Sequence, residues 1–308
     1  MTLAQIAAGT KNVSVQDYTG GVPLAKEFQN RLTVLGCLDP PADGSVGPVT
    51  KLVVPTFAKV LNLPAADGIT PAVARAMLSQ TAATFLPWSF GNDFPSKLVR
   101  FMLDKGFFVA RLPGFLTIVY IEGADENGRP NPDKFNQFND RRIVLRREPN
   151  GRPVILHNAL ATTEPGKFFT ENPPKPEGAA RIAFGQYKAW RVGFHKASQS
   201  PPTRHEALVQ VGNITIHRDK NKDGKRVDAQ GREDKKFTGD GFGINQHNGH
   251  DNPVDNVGKT SAGCLVGRSV AEHKEFMALV KTDPRFRATK GYVYLTTVLN
   301  GDHFGAFA

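Results

Sequence analysis

Cysteine is nearly absent from this chain. There are two among 308 residues, Cys37 and Cys264, too few and too far apart to read as a disulfide framework. Four cysteine or histidine ligands at zinc-finger spacing are missing, so a structural zinc site is not expected. Nowhere do about 20 apolar residues run together, which excludes a helical membrane span. The opening residues, Met1 to Gly9, lack a basic region followed by a long apolar core, and so predict synthesis as a soluble protein without a signal peptide. Action outside the cytoplasm would then need release or export. The net charge is +10, which favours anionic partners, but no run of five or six lysines and arginines and no continuous basic helix face accompanies it. A nucleic-acid partner is therefore not expected. Internal repeats are also lacking in the β-rich region.

What is present is an ordinary globular composition, 40% hydrophobic and 22% charged, in a chain long enough for two domains. Residues 1–20 read as a loose lead-in. Leu24, Phe28, Leu32 and Leu35 then recur at helical spacing, with Gly36 at the C-cap position. A turn-rich segment from Asp39 leads to Pro48, which suits the start of a second helix over 49–57. Asp67 to Pro71 makes another turn, and Thr70 is placed to cap a third helix over 72–78. Residues 81–96, with two prolines, a glycine and several aromatics, read as a linker that packs on a surface. A short helix over 96–105 follows.

Beyond Gly106 the pattern is mostly β. Candidate strands lie at 117–121, 142–145, 154–156, 181–184, 207–211, 214–216 and 292–298, separated by turn residues. A helix is predicted over 269–280, with Ser269 and Glu272 forming a capping box. The predicted class is α+β: a small three-helix N-terminal domain at 20–80, the linker at 81–96, and a β-rich, sandwich- or barrel-like catalytic domain at 97–302.

The residues that carry chemistry cluster late in the chain. Ser261-Ala262-Gly263-Cys264 places small residues and a hydroxyl beside a thiol. A thiol needs a base or a lowered pKa to act as a nucleophile, and His247, seventeen residues upstream, can supply the base. Amide groups at Gly263 and Cys264 could meet a developing oxyanion. Lys259 is close enough in sequence to lower the thiol pKa, and His250 is a second candidate base. His217, ending a strand, reads as a satisfied strand-end residue. Tyr187, Trp190 and the basic residues around them suit sugar stacking or carboxylate pairing, although a half-buried strand or helix edge is the preferred reading. Asp219 to Gly224 alternates oxygen ligands like a calcium loop, but Gln230 stands where the closing glutamate belongs, so a hydrated hairpin is the better reading. His205-Glu206 begins like a zinc-protease helix, with Val209 in place of the second histidine.

Two stretches resemble known families. Phe28-Gln29, Leu32, Leu35-Gly36, Asp43-Gly44, Gly47-Pro48, Thr50, Phe57 and Asp67-Gly68 resemble a peptidoglycan-binding domain over about residues 20–80. The Ser-x-Gly-Cys element with its upstream histidine resembles the L,D-transpeptidase (YkuD-like) catalytic motif, departing from it at Ala262 and Val266. That resemblance implies Cys264 as nucleophile, His247 as general base, Ser261 and Gly263 as flanking catalytic residues, and Arg268 as a substitute for the family's arginine on substrate. It implies peptidoglycan as partner, with no cofactor and no metal. Transpeptidation, stem-peptide hydrolysis as in phage endolysins, and a non-catalytic wall-binding role remain the alternatives.

Overall fold

The computed structural model describes residues 1–64 and 68–307. The expected Asp67 turn residue lies outside them. The first correction concerns the start of the chain. Residues 1–20 are not a loose lead-in: they form α1 (Leu3–Ala8) and β1 (Val13–Ser14). Thr2 caps α1 through a capping box with Gln5, and Leu3, Ile6, Val13 and Val15 are buried. The sequence reading missed both because each is shorter than the window in which periodicity shows.

Three further helices follow: α2 (Val22–Val34), α3 (Pro48–Val60) and, after β2 (Gly68–Ile69), α4 (Pro71–Ser79). The N-terminal part thus has four helices among the described residues, not three, with β1 and β2 paired antiparallel beside them. Local chemistry explains the boundaries. Gly36 takes φ +74 just past α2, where the Cys37 amide returns to the Leu32 carbonyl at 2.8 Å. Pro48 opens α3, and the Thr70 hydroxyl accepts from the Val73 amide at the head of α4.

The segment after α4 joins two cores. Phe85 is buried in the N-terminal core and stacks on Phe57 at 5.1 Å, whereas Trp88 and Phe90 pack against the core around α5 (Phe94–Asp104). Ala110, Leu112 and Phe115 extend the N-terminal core into the second half of the chain.

The remaining elements are β3 (Thr117–Glu122), β4 (Asp140–Arg147), β5 (Pro153–Thr162), α6 (Lys167–Glu171), β6 (Ala179–Ile182), β7 (Gly185–His195), β8 (His205–Gln210), β9 (Ile214–Asp219), β10 (Lys235–Gly239), β11 (Gln246–Asn248), β12 (Leu265–Gly267), α7 (Val270–Val280), α8 (Pro284–Ala288), β13 (Tyr294–Asn300) and α9 (Gly301–Phe307). The protein is α+β. Eight strands close a mixed barrel in the order β11-β12-β5-β4-β3-β13-β7-β8, and β10-β9-β6 form a separate sheet. Closure removes the free edges that an open sheet would expose. Two ladders are parallel, β11 with β12 and β13 with β3. Trp190, Tyr120, Tyr294 and Leu265 fill the interior. The Ser269 hydroxyl accepts from the Glu272 amide at the head of α7, which is one half of the expected capping box.

A buried ion cluster ties the N-terminal part to the barrel side. Asp39, just past α2, is fully buried and pairs with Arg285 of α8, while the Tyr292 hydroxyl donates to it at 2.5 Å. Arg285 also donates to Asp283 at 2.6 Å and to the Leu116 carbonyl at 2.6 Å.

Candidate active site

The cysteine loop is built by its own small residues. The Ser261 hydroxyl is fully buried, accepts from the Gly263 amide at 3.1 Å and donates to the Cys264 carbonyl at 3.0 Å. Gly263 sits at φ +121, and a Cβ there would lie 2.3 Å from the Ala180 carbonyl oxygen. Only glycine fits this close approach. Ser261 therefore shapes the loop and touches no reacting atom. With the Gly263 amide engaged, the amide of Cys264 itself, which makes no hydrogen bond among the described residues, is the better oxyanion donor.

Cys264 immediately precedes β12 and is 9% exposed. Its thiol donates to the Gly243 carbonyl at 3.6 Å and accepts from the Asn245 amide at 3.5 Å. Burial pushes the thiol pKa up to about 11, against smaller lowering by the Asn245 amide and the charge of Lys196. The resting thiol is protonated at neutral pH.

His247 is brought to the same face by strand register. In the β11/β12 ladder Gln246 lies opposite Leu265 and His247 opposite Val266. Gln246 points into the barrel, where its amide donates to Thr296 at 2.9 Å. Alternation then puts His247 outside, with Val266 and Cys264 on the neighbouring strand. Position 247 Nδ1 lies 2.7 Å from the Asn248 carbonyl, which can only accept, so Nδ1 carries the proton. Nε2 is left as a buried lone pair with no partner. Burial first, and then the neighbouring His195, push the His247 pKa well below its usual value. The result is a neutral imidazole in the tautomer that a general base needs.

A histidine cluster surrounds this base, and sequence reasoning missed it. His195, at the end of β7, stacks on His247 with ring centroids 3.9 Å apart. His205 lies 5.8 Å from His247 and 5.5 Å from His250. Asn245 ties the cluster to the cysteine loop: its carboxamide donates to His195 Nδ1 at 3.0 Å and accepts from the Gln210 amide at 3.0 Å, while its own amide meets the thiol. Behind them His273 is held between Arg142 Nη1 at 3.0 Å and the Glu206 carbonyl at 2.9 Å. Burial, followed by Arg142, brings its pKa down to about 2. His195 is lowered to about 4 by burial and then by His205 and Lys196. His195 and His205 face each other across the β7/β8 pair, and β8 pairs in turn with β11, which carries His247; no pattern within one segment links 195 to 247.

Several expected site residues lie elsewhere. Trp190 is fully buried in the barrel and has no face for a sugar. Its indole N–H donates to the Ile244 carbonyl at 2.8 Å, so it braces the loop that receives the thiol. The Ile244 amide in turn donates to the Gln210 side chain at 2.9 Å. Tyr187 is half-buried on β7 and its hydroxyl donates to the Ala183 carbonyl at 3.0 Å. Lys259 is exposed, with its ammonium over Phe168 at 4.4 Å; the cation acting on the thiol is Lys196. Arg268 is half-buried and donates to the Asn252 carbonyl at 3.1 Å. His250 is exposed, in contrast to the buried His247. His217 is buried inside β9 and not at a strand end, and it lines a separate cavity of about 750 Å³ with Glu122, Arg181 and Arg226. His205-Glu206 opens a strand, not a helix. The Asp219 carboxylate accepts from the amides of Asp223 at 3.1 Å and Gly224 at 3.0 Å, closing a hairpin on itself. Glu122, Asp133 and Glu164 bring carboxylates together, but Arg181 and Arg226 already pair with this group.

No family model matches the chain. No curated protein matches it either. Two solved structures do: a fused Zn-dependent amidase/peptidase/peptidoglycan-binding domain-containing protein from Clostridium acetobutylicum, at 12% identity and a TM-score of 0.28 over 94% of this chain and 100% of that one; and an L,D-transpeptidase from Xylanimonas cellulosilytica, at 15% identity and a TM-score of 0.24 over 90% of this chain and 94% of that one. Likenesses this loose bear on neither fold nor chemistry. The molecule itself is an α+β protein whose barrel wall carries a buried thiol and a neutral imidazole on one face.

Proposed function

We propose that this chain is a cysteine acyl-transfer enzyme acting on the peptide stems of peptidoglycan, with Cys264 as nucleophile and His247 as base. The observation that carries the reading is the unpartnered, buried Nε2 of His247, fixed in its tautomer by the Asn248 carbonyl and placed on the face of Cys264. An orphaned nitrogen in a buried site is costly unless it has a task. The Ser-Ala-Gly-Cys element, similar to that of L,D-transpeptidases, supports the same assignment.

In this scheme the thiol turns from the Gly243 carbonyl and gives its proton to His247 Nε2. The thiolate adds to the stem-peptide carbonyl, and the Cys264 amide meets the oxyanion. Collapse expels the amine, which takes the proton from His247 and leaves a thioester on Cys264. A second amine, deprotonated by His247, completes transpeptidation; water in its place gives hydrolysis. The peptidoglycan partner rests on the two sequence resemblances, and Lys259, Arg268 and Tyr187 have no part in the scheme.

Defined muropeptides incubated with the purified, reduced protein, followed by mass spectrometry, test this directly. Cross-linked or shortened products, lost in Cys264→Ala and in His247→Ala, are expected. Identical, unchanged muropeptides with wild type and Cys264→Ala would sink the enzymatic reading and leave a wall-binding role.

A further inference from the structure

We propose that Lys196 is a specificity-determining residue of the Cys264 site, receiving a carboxylate of the substrate beside the amide under attack. The proposal rests on the acyl-transfer reading and deepens it.

Position comes first. Lys196 directly follows His195, whose ring lies 3.9 Å above His247 and whose Nδ1 is tied to Asn245, the residue whose amide meets the thiol. The lysine therefore stands one residue from the stacked base, at the turn leaving β7. Its backbone takes φ +47, a left-handed conformation that non-glycine residues rarely adopt and that recurs at functional sites. The side chain is exposed, and its ammonium makes no hydrogen bond or ion pair among the described residues.

The surroundings leave that charge uncompensated. Lys196 adds to the forces that lower the pKa of His195, His205, His250 and Cys264, so its charge is felt at each of these four side chains. The imidazoles there are neutral. Of the nearby acids, Glu206 is engaged by Lys281 at 2.8 Å, and Asp251 acts on His250. Arg204 is turned onto the exposed ring of Phe194 at 4.3 Å. An amide substrate without charge would draw nothing from a free cation at this place, whereas a carboxylate gains a partner and is steered toward the thiol.

Two alkylating agents that share one reactive carbon test this without needing the natural substrate. Iodoacetate carries a carboxylate where iodoacetamide carries a carboxamide. With either, the Cys264 sulfur–carbon bond forms, iodide leaves and the thiol proton passes to base. Rates are read at Cys264 by peptide mass spectrometry at low ionic strength. In Lys196→Ala the iodoacetate-to-iodoacetamide rate ratio should fall about three- to tenfold, remain near wild type in Lys196→Arg, and shrink in wild type with about 0.5 M salt. A ratio unchanged in Lys196→Ala, including the case where both rates fall together, overturns the proposal, because Lys196 then acts on the thiol alone. The acyl-transfer reading fails separately, if muropeptides stay unchanged with wild type and Cys264→Ala alike while the ratio still responds to Lys196.

Discussion

Cys264 and His247 both rest in their neutral forms. The thiol is held protonated by burial, with a pKa near 11, and the imidazole is held unprotonated by burial and by His195. A preformed thiolate–imidazolium pair is thereby disfavoured. This sets the pH dependence of the free protein. A thiol pKa raised above neutrality means that the thiolate fraction grows about tenfold per pH unit until the pKa is approached. Cys264 alkylation by iodoacetamide should accordingly climb between about pH 7 and 10, without a plateau near neutrality. A plateau there, followed by mass spectrometry across the range, would indicate an ion pair and contradict this account. The Ser261 bracket and the φ of Gly263 act at the same scale by fixing where the sulfur starts.

At the scale of elements, the site is a meeting of strand ends. β11 carries His247, Cys264 immediately precedes β12, β7 supplies His195 and Trp190, and β8 supplies His205 and Gln210. The loop over 243–245 is clamped from both of the latter strands. Trp190→Phe should keep an aromatic ring in the core but orphan the buried Ile244 carbonyl, costing about 1–3 kcal/mol of stability and slowing Cys264 alkylation. Thermal melts and alkylation rates on one preparation would check it; a lowered melting temperature with full reactivity at Cys264 would mean that Trp190 only fills space. This arrangement also explains what the residue order discloses. Leu24, Phe28 and Leu32 announce α2 because a helix repeats its contacts every few residues. Ser261, Gly263 and Cys264 are readable because their task is local. His195 is not, since it lies 52 positions before His247 and only the pairing of β7 with β8 and of β8 with β11 brings them together. Trp190 misleads because an aromatic beside basic residues looks the same whether it faces a sugar or a core. The two-residue strands β1 and β2 and the three-residue strands β11 and β12 are too short to stand out by alternation.

For the whole molecule, the Asp39–Arg285 cluster makes the helical part and the barrel side one mechanical unit. Arg285→Met leaves Asp283 buried without its cation and Asp39 with only Lys188 at 3.9 Å, and removing one partner of a buried pair costs about 3–5 kcal/mol. Denaturant unfolding should show an earlier midpoint, and a split into two transitions would reveal that the halves had been melting together. An unshifted midpoint would show that the shared apolar core, through Phe85, Leu112 and Phe115, is enough by itself.

The placement of β13 bears on how the protein is made. This strand comes after every other stave in the chain, yet it lies between β3 and β7 and pairs with both. While the ribosome is still working, β3 and β7 have no partner to join them, and the barrel stays open on that side. Residues 195, 247 and 264 have all been synthesised by then, on or beside strands β7, β8, β11 and β12, which pair in series without β13. The strands that carry the site can therefore pair before the barrel closes, and the last strand seals the wall between β3 and β7.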